Sequence, residues 1–427
     1  MRTVQRLFLL FLLLSPLYYL PLAWTYNPQA PDYTAYRAGK DVATLALIAV
    51  WGLVLIARRR ALPLRPTPLT AAVLLHALTL MIASIGIERG TGLDVNFAVR
   101  TLVPLGLYFL ARDLLRHESA KRAALGVLVS VGVVVAMVAL FEWGFRPEPS
   151  VFTRAAGGQF RAVGTLVNPL SLGWYLAFVA ALVAGAGVAA VGPRAADVPW
   201  WARGLVALFV QAALLAGIVA SGTRSALIAF GLVVLASIAA RCWLALLRTR
   251  VARRVLVSTA MVLGIAAVAV ALSGVLPLRG SAVETGLEQP LRVLRGPETT
   301  RWSIYADLVD EMSRRPLNEL VFGLSTATLA VLDEQRLNTD SFVLLLLTQG
   351  GIASLSTWLL TIVMAFWAAL AGGSRHDVRP VGGAVAFGLG ALAAMAAIGN
   401  VLYLFPHGAM FWILIGAAAR DPEGEQR

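Results

Sequence analysis

Residues 122–143 read RAALGVLVSVGVVVAMVALFEW. From Ala123 to Phe141 nothing is charged. A helix of about 20 residues crosses the ~30 Å apolar core of a bilayer, so this run reads as a membrane span. The pattern recurs along the chain. Twelve spans are expected, over roughly 6–24, 42–57, 68–87, 95–111, 122–143, 167–191, 204–220, 225–240, 255–274, 341–371, 381–402 and 406–419. Pro16 and Pro21 interrupt the first, Pro104 the fourth and Gly350-Gly351 the tenth. Neighbouring helices can re-satisfy the backbone groups that such breaks release. The expected fold class is therefore all-α: a polytopic integral membrane protein of about 12 transmembrane helices, one domain over 1–427, with a single large loop at 275–339.

Composition agrees. Hydrophobic residues make up 59% of the 427 and charged residues 14%, with mean hydropathy +0.76. Soluble domains are about 45–50% apolar and about 25% charged, which excludes that class. Cys242 is the only cysteine, so a disulfide scaffold and a cysteine metal site are excluded. The first span follows Arg2 and Arg6 but runs to Trp24 without a small-residue cleavage site, as an uncleaved anchor does.

The net charge is +13, and 34 of the 36 cations are arginine. In a membrane protein that balance first sets orientation, and no nucleic-acid partner is expected. With the N-terminus inside, 21 cations fall on inner segments and 15 on outer ones, seven of the 15 in the long loop. The short-segment comparison of 21 to 8 places both termini in the cytoplasm. Topology does not account for Arg100, Arg146, Arg154, Arg161 and Arg224, which cluster near outer span ends. Fixed guanidinium groups there suit a phosphate or diphosphate ligand, through paired planar hydrogen bonds.

The sequence has no phosphate-binding glycine loop, nucleophile elbow or paired-histidine zinc motif, so no metal and no cofactor are expected. Four other segments carry polar chemistry, all on the expected outer side. Arg161-Ala-Val-Gly-Thr-Leu-Val-Asn168-Pro169 opens the sixth span: either a turn holds the arginine over a cavity, or Asn168 is an N-cap beside a snorkelling arginine. Ser221-Gly-Thr-Arg224-Ser225 is a tight hairpin that sets a charge beside apolar helices, which is costly and a functional signal by default. Residues 300–315 form an expected amphipathic helix with Trp302, Tyr305, Val309 and Met312 on one face, Arg301 near its start and Pro316 at its end. Asn338-Thr-Asp340-Ser-Phe precedes the tenth span, where Asp340 can face a site or cap the helix.

In order and spacing these segments resemble the O-antigen ligase and polymerase family of bacterial surface-polysaccharide assembly. The resemblance covers about residues 160–355: Arg161, Gly164, Asn168 and Pro169; Ser221 to Ser225; Arg301 through Pro316 to Gly323; then Gly350-Gly-Ile352. It implies a GT-C-like glycosyltransferase of the bacterial inner membrane. Such enzymes take an undecaprenyl-diphosphate-linked glycan as donor on the periplasmic face, and pass it to another glycan or to a lipid-linked acceptor. The ligases typically carry a histidine near the start of the helix after the large loop; Asp340 stands there instead, which is similar to related polymerases that place an acidic residue on the outer face. O-antigen or exopolysaccharide polymerisation is the expected activity and ligation to lipid A core the alternative.

On this reading an acceptor hydroxyl attacks the anomeric carbon with inversion. Arg161 and Arg224 stabilise the leaving diphosphate, with Arg301 third, and Asp340 is the base. Arg100 and Asn168 are expected to bind substrate, and His407 is the rival base. A lipid-linked oligosaccharide flippase also fits twelve spans, but duplicated halves are not visible.

Overall fold

The computed structural model describes residues 2–19, 32–58, 67–85, 95–145, 161–166, 168–186, 199–223, 225–235, 310, 312–324, 341–371 and 379–419. The described chain is helical. In order it forms α1 (Arg2–Leu14), α2 (Asp32–Ala57), α3 (Pro68–Ile85), α4 (Val95–Leu114), α5 (Glu118–Phe145), α6 (Pro169–Ala186), α7 (Trp200–Ser221), α8 (Ser225–Leu235), α9 (Leu317–Phe322), α10 (Phe342–Ala371), α11 (Arg379–Ile398) and α12 (His407–Ala418).

Five helices are long and apolar enough to cross a membrane: Gly39–Ala57, Glu118–Phe145, Pro169–Ala186, Gly204–Ser221 and Phe342–Leu370. The apolar helices at 68–84, 225–235, 381–397 and 407–418 are shorter. The protein is thus a helical membrane protein. The expected ninth span and most of the 275–339 loop lie outside the described residues.

Two helices form the centre. Every residue of α12 is buried, and so is nearly all of α6. Both are apolar on all sides, which is what a helix surrounded by other helices requires. α6 packs along α11 and α7, and α12 along α4 and α11. Outer helices present apolar side chains outward instead: Leu53 and Ile56 on α2, Phe209 on α7 and Val363 and Trp367 on α10 are exposed. In water that surface would be untenable, whereas lipid covers it at no cost.

The first expected span breaks where Pro16 interrupts it, and the span expected over 381–402 ends early. α1 stops at Leu14, and a 3-10 turn at Ser15–Leu17 follows, because Pro16 has no N–H to continue the helix. α11 stops at Ile398, before a second 3-10 turn at Val401–Tyr403 and the bend into α12. α10 keeps the expected break. Gly351 has φ 68° and ψ −177° inside it, a left-handed φ that glycine takes without strain.

That break is filled by α9. A methyl group added at Gly351 would strike the Val321 carbonyl, and one added at Gly323 would strike the Gln349 carbonyl. The Leu324 N–H donates to the Thr348 carbonyl at 2.7 Å. Met312 and Leu324 bury themselves against Leu320, Leu344 and Leu347. The described part of the long loop, residues 312–324, is therefore docked into α10 backbone against backbone. The Pro316-to-Gly323 segment and Gly350-Gly351, separate in the sequence, are the two halves of this joint.

Candidate functional site

The turn at 161–166 precedes α6 and is anchored to the 3-10 turn after α1, to α5 and to α7. Glu142, near the end of α5 and only 2% exposed, accepts from the Val163 N–H at 3.2 and 3.1 Å and from the Gly164 N–H at 2.7 Å. The Ala162 N–H donates to the Ala220 carbonyl at 2.9 Å. The Thr165 hydroxyl donates to the Pro16 carbonyl at 2.7 Å. Asn168 caps α6, its Oδ1 accepting from the Leu170 N–H at 2.9 Å, and Pro169 follows at the first helical position.

Arg161 points from this turn onto the end of α7. Its Nε donates to the Ser221 carbonyl at 3.0 Å, and its Nη2 to the Gly222 carbonyl at 3.1 Å and the Thr223 hydroxyl at 3.4 Å. Helix C-termini leave carbonyls without intrahelical donors and carry partial negative charge, so a guanidinium there is favourable on both counts. Gly222 ends α7 with φ +60°, and its N–H donates to the Val219 carbonyl. Thr223 is tied in turn to α6, donating to the Pro169 carbonyl at 2.8 Å. α6 can approach only because residue 173 is glycine: a Cβ there would lie 2.7 Å from the Thr223 Cβ and 2.8 Å from the Ser221 Oγ.

The first two sequence segments thus meet in one joint, Arg161 on Ser221 to Thr223. Arg224, the residue after Thr223, lies outside the described residues, as do Arg301 and Asp340. Arg100 stands in α4 at the same end of the bundle, its side chain outside the described set.

The residues flanking Arg224 and Asp340 approach one centre, the indole of Trp174 on α6. Trp174 Nε1 donates to the Ser225 hydroxyl at 2.9 Å. Gly399 lies against the six-membered ring of the same indole, at Cζ2 and Cη2, where any side chain would collide. The Gly399 carbonyl accepts from the Phe342 N–H at 3.2 Å, and the Ser341 hydroxyl donates to the Ala397 carbonyl at 2.9 Å. Ser225, next to Arg224, and Phe342, two residues after Asp340, are therefore joined through Trp174 and Gly399.

His407 sits behind this centre rather than on a surface. It is wholly buried at the start of α12, with its ring 6.4 Å from Trp174 and 6.3 Å from Tyr175. The backbone of Ser171 and Leu404 lies beside it, outside hydrogen-bond geometry with either ring nitrogen. His76 is a packing residue deeper in the bundle: its Nδ1 lies 3.0 Å from the Thr357 hydroxyl and its ring stacks on Trp412. His76 and Trp412, with Thr101, Phe342 and Trp358, line a cavity of about 20 Å³, space for a water molecule.

The opposite end carries its own buried charges. Arg112 Nη1 donates to the Thr70 hydroxyl at 2.6 Å, and Asp113 takes the Trp51 indole N–H at 3.0 Å and an ion pair with Arg116 at 2.9 Å. This network pins α2, α3 and α4 together and shares no residue with the Arg161 joint.

Sequence reasoning missed Glu142 and Trp174. Glu142 had a readable signal, a lone acid inside an apolar run. Trp174 had none, since an aromatic residue in a span is ordinary. Among the described residues no group of His, Cys, Asp and Glu could hold a metal ion. The arrangement offers fixed cationic and hydroxyl groups at one end of a helical bundle. Compared with family models and with curated proteins, the chain returns no match.

Proposed function

We propose that this chain is a membrane glycosyltransferase, moving a glycan from an undecaprenyl-diphosphate-linked donor to a sugar hydroxyl on the periplasmic face of the inner membrane, as an O-antigen or exopolysaccharide polymerase. The observation that carries the reading is the Arg161 joint. Two segments 60 residues apart, singled out by their resemblance to that enzyme family, are bonded to each other. Twelve crossings and an outward-facing 275–339 loop belong to the same proposal.

The chemistry follows from the charges. The acceptor hydroxyl attacks the anomeric carbon, the bond to the diphosphate oxygen breaks, and the hydroxyl proton passes to Asp340. Undecaprenyl diphosphate leaves with an added negative charge. Arg224 stabilises that charge directly, Arg161 adds its field while holding the turn, and Arg301 is a third cation. Arg100 and Asn168 line the approach, and His407 supports the centre from behind. The catalytic groups proposed here are all protein side chains.

The test is the full-length protein in nanodiscs with a polyprenyl-diphosphate-linked oligosaccharide. Longer product and released polyprenyl diphosphate are expected, both lost in Arg224→Ala and Asp340→Ala at unchanged protein level. An active Arg224→Ala enzyme overturns the leaving-group assignment. Transfer only to lipid A core makes the protein a ligase. Movement of the lipid across vesicles without release of diphosphate makes it a flippase.

A further inference from the structure

Glu142 is an unusual expense in the apolar run that decides the fold. A carboxyl at the end of a span, 2% exposed, is unfavourable unless its oxygens are bonded. Both are bonded, among the described residues to the backbone N–H groups of Val163 and Gly164. Those two residues are the second and third after Arg161. The carboxyl therefore fixes the turn that aims Arg161, and Arg161 in turn fixes Ser221, Gly222 and Thr223 through three hydrogen bonds.

We infer that Glu142 is a positioning residue: it acts through the 163–164 turn and Arg161 to hold the 221–223 turn in place, the turn beside which the proposed diphosphate site lies. The role in transfer rests on the function proposed above; the mechanical relay does not. A sugar-diphosphate site needs its guanidinium groups set to within a fraction of an ångström, and groups on turns hold such positions only if a second layer of bonds supports them. Glu142 supplies that layer from α5, a helix that contributes no cation to the proposed site. It acts through the turn, since its oxygens are buried and accept from the Val163 and Gly164 N–H groups.

The experiment is hydrogen–deuterium exchange of the full-length protein in nanodiscs. Glu142→Met keeps the volume and removes both acceptors; Glu142→Gln keeps one. Exchange at 161–166 is expected to rise about tenfold in Glu142→Met and less in Glu142→Gln. Exchange at 219–223 is expected to rise with it, while α10 and α11 are unchanged. A rise confined to 161–166 overturns the relay. If Glu142→Met does not fold, Glu142→Gln must show the coupled rise alone.

Transfer assays form the second arm. Glu142→Met is expected to raise the donor KM more than tenfold, with Glu142→Gln recovering most of the loss. Combined with Arg161→Ala it is expected to add little, because both act on one turn. Additive losses overturn the shared path. A wild-type protein that transfers nothing removes the proposed function, and the exchange arm still decides the relay.

Discussion

Arg161 spends its Nε and Nη2 protons on two carbonyls and a hydroxyl, a geometry that only a planar fork satisfies. Arg161→Lys keeps the charge and loses most of the contacts. It is expected to cost ~1–3 kcal/mol of stability, read as a lower thermal midpoint in detergent. Trp174→Phe is the matching probe on the other side of the joint. It keeps the ring and removes the bond to Ser225, for about 1 kcal/mol. A midpoint equal to wild type would show that the Ser225 bond contributes nothing. At this scale the sequence was partly legible. Arg161 and Asn168 stood out because polar residues at span ends are conspicuous, and Asn168 proved to cap its helix. What Arg161 touches was not legible, because its partners are backbone carbonyls, which every residue has.

Helix α10 shows what an element can conceal. Its sequence reads as one long apolar span with a pair of glycines, and the break at Gly351 is visible in that pair. The reason for the break lies 28 residues upstream, in the Gly323 backbone that occupies it. Gly351→Ala requires a left-handed φ and meets the Val321 carbonyl, so it is expected to cost roughly 1–3 kcal/mol. It should also expose 312–324 to proteolysis. Gly52→Ala on α2, where nothing lies within 4 Å, is the control and should leave the midpoint unchanged or higher. Equal behaviour of the two variants would mean that the α9–α10 joint bears no load. Helix ends were read to within a few residues where a proline or a charge marks them, as at Pro68 and Pro169. The end after Ile398 was missed, because the chain turns there before its apolar run is finished.

For the molecule as a whole, hydropathy alone identified the class, because no soluble fold tolerates so much outward apolar surface. Which helices form the centre was not legible, since α6 and α12 look like any other span. Orientation is open to direct test. Reporter fusions at both termini are expected on the cytoplasmic side, and one within 275–339 on the opposite side. A terminus on the far side would invert the arrangement and move the Arg161 joint to the cytoplasm. The central place of α12 also bears on how the protein is made. With 12 residues, all buried, it reaches only about 18 Å, too little to enter a bilayer unaided. It is synthesised after every other described helix, so its neighbours must wait in the membrane with an open groove between α4 and α11. A ribosome stalled before Gly399 would leave a nascent chain whose bundle has no axis, the kind of unfinished product that membrane quality control removes.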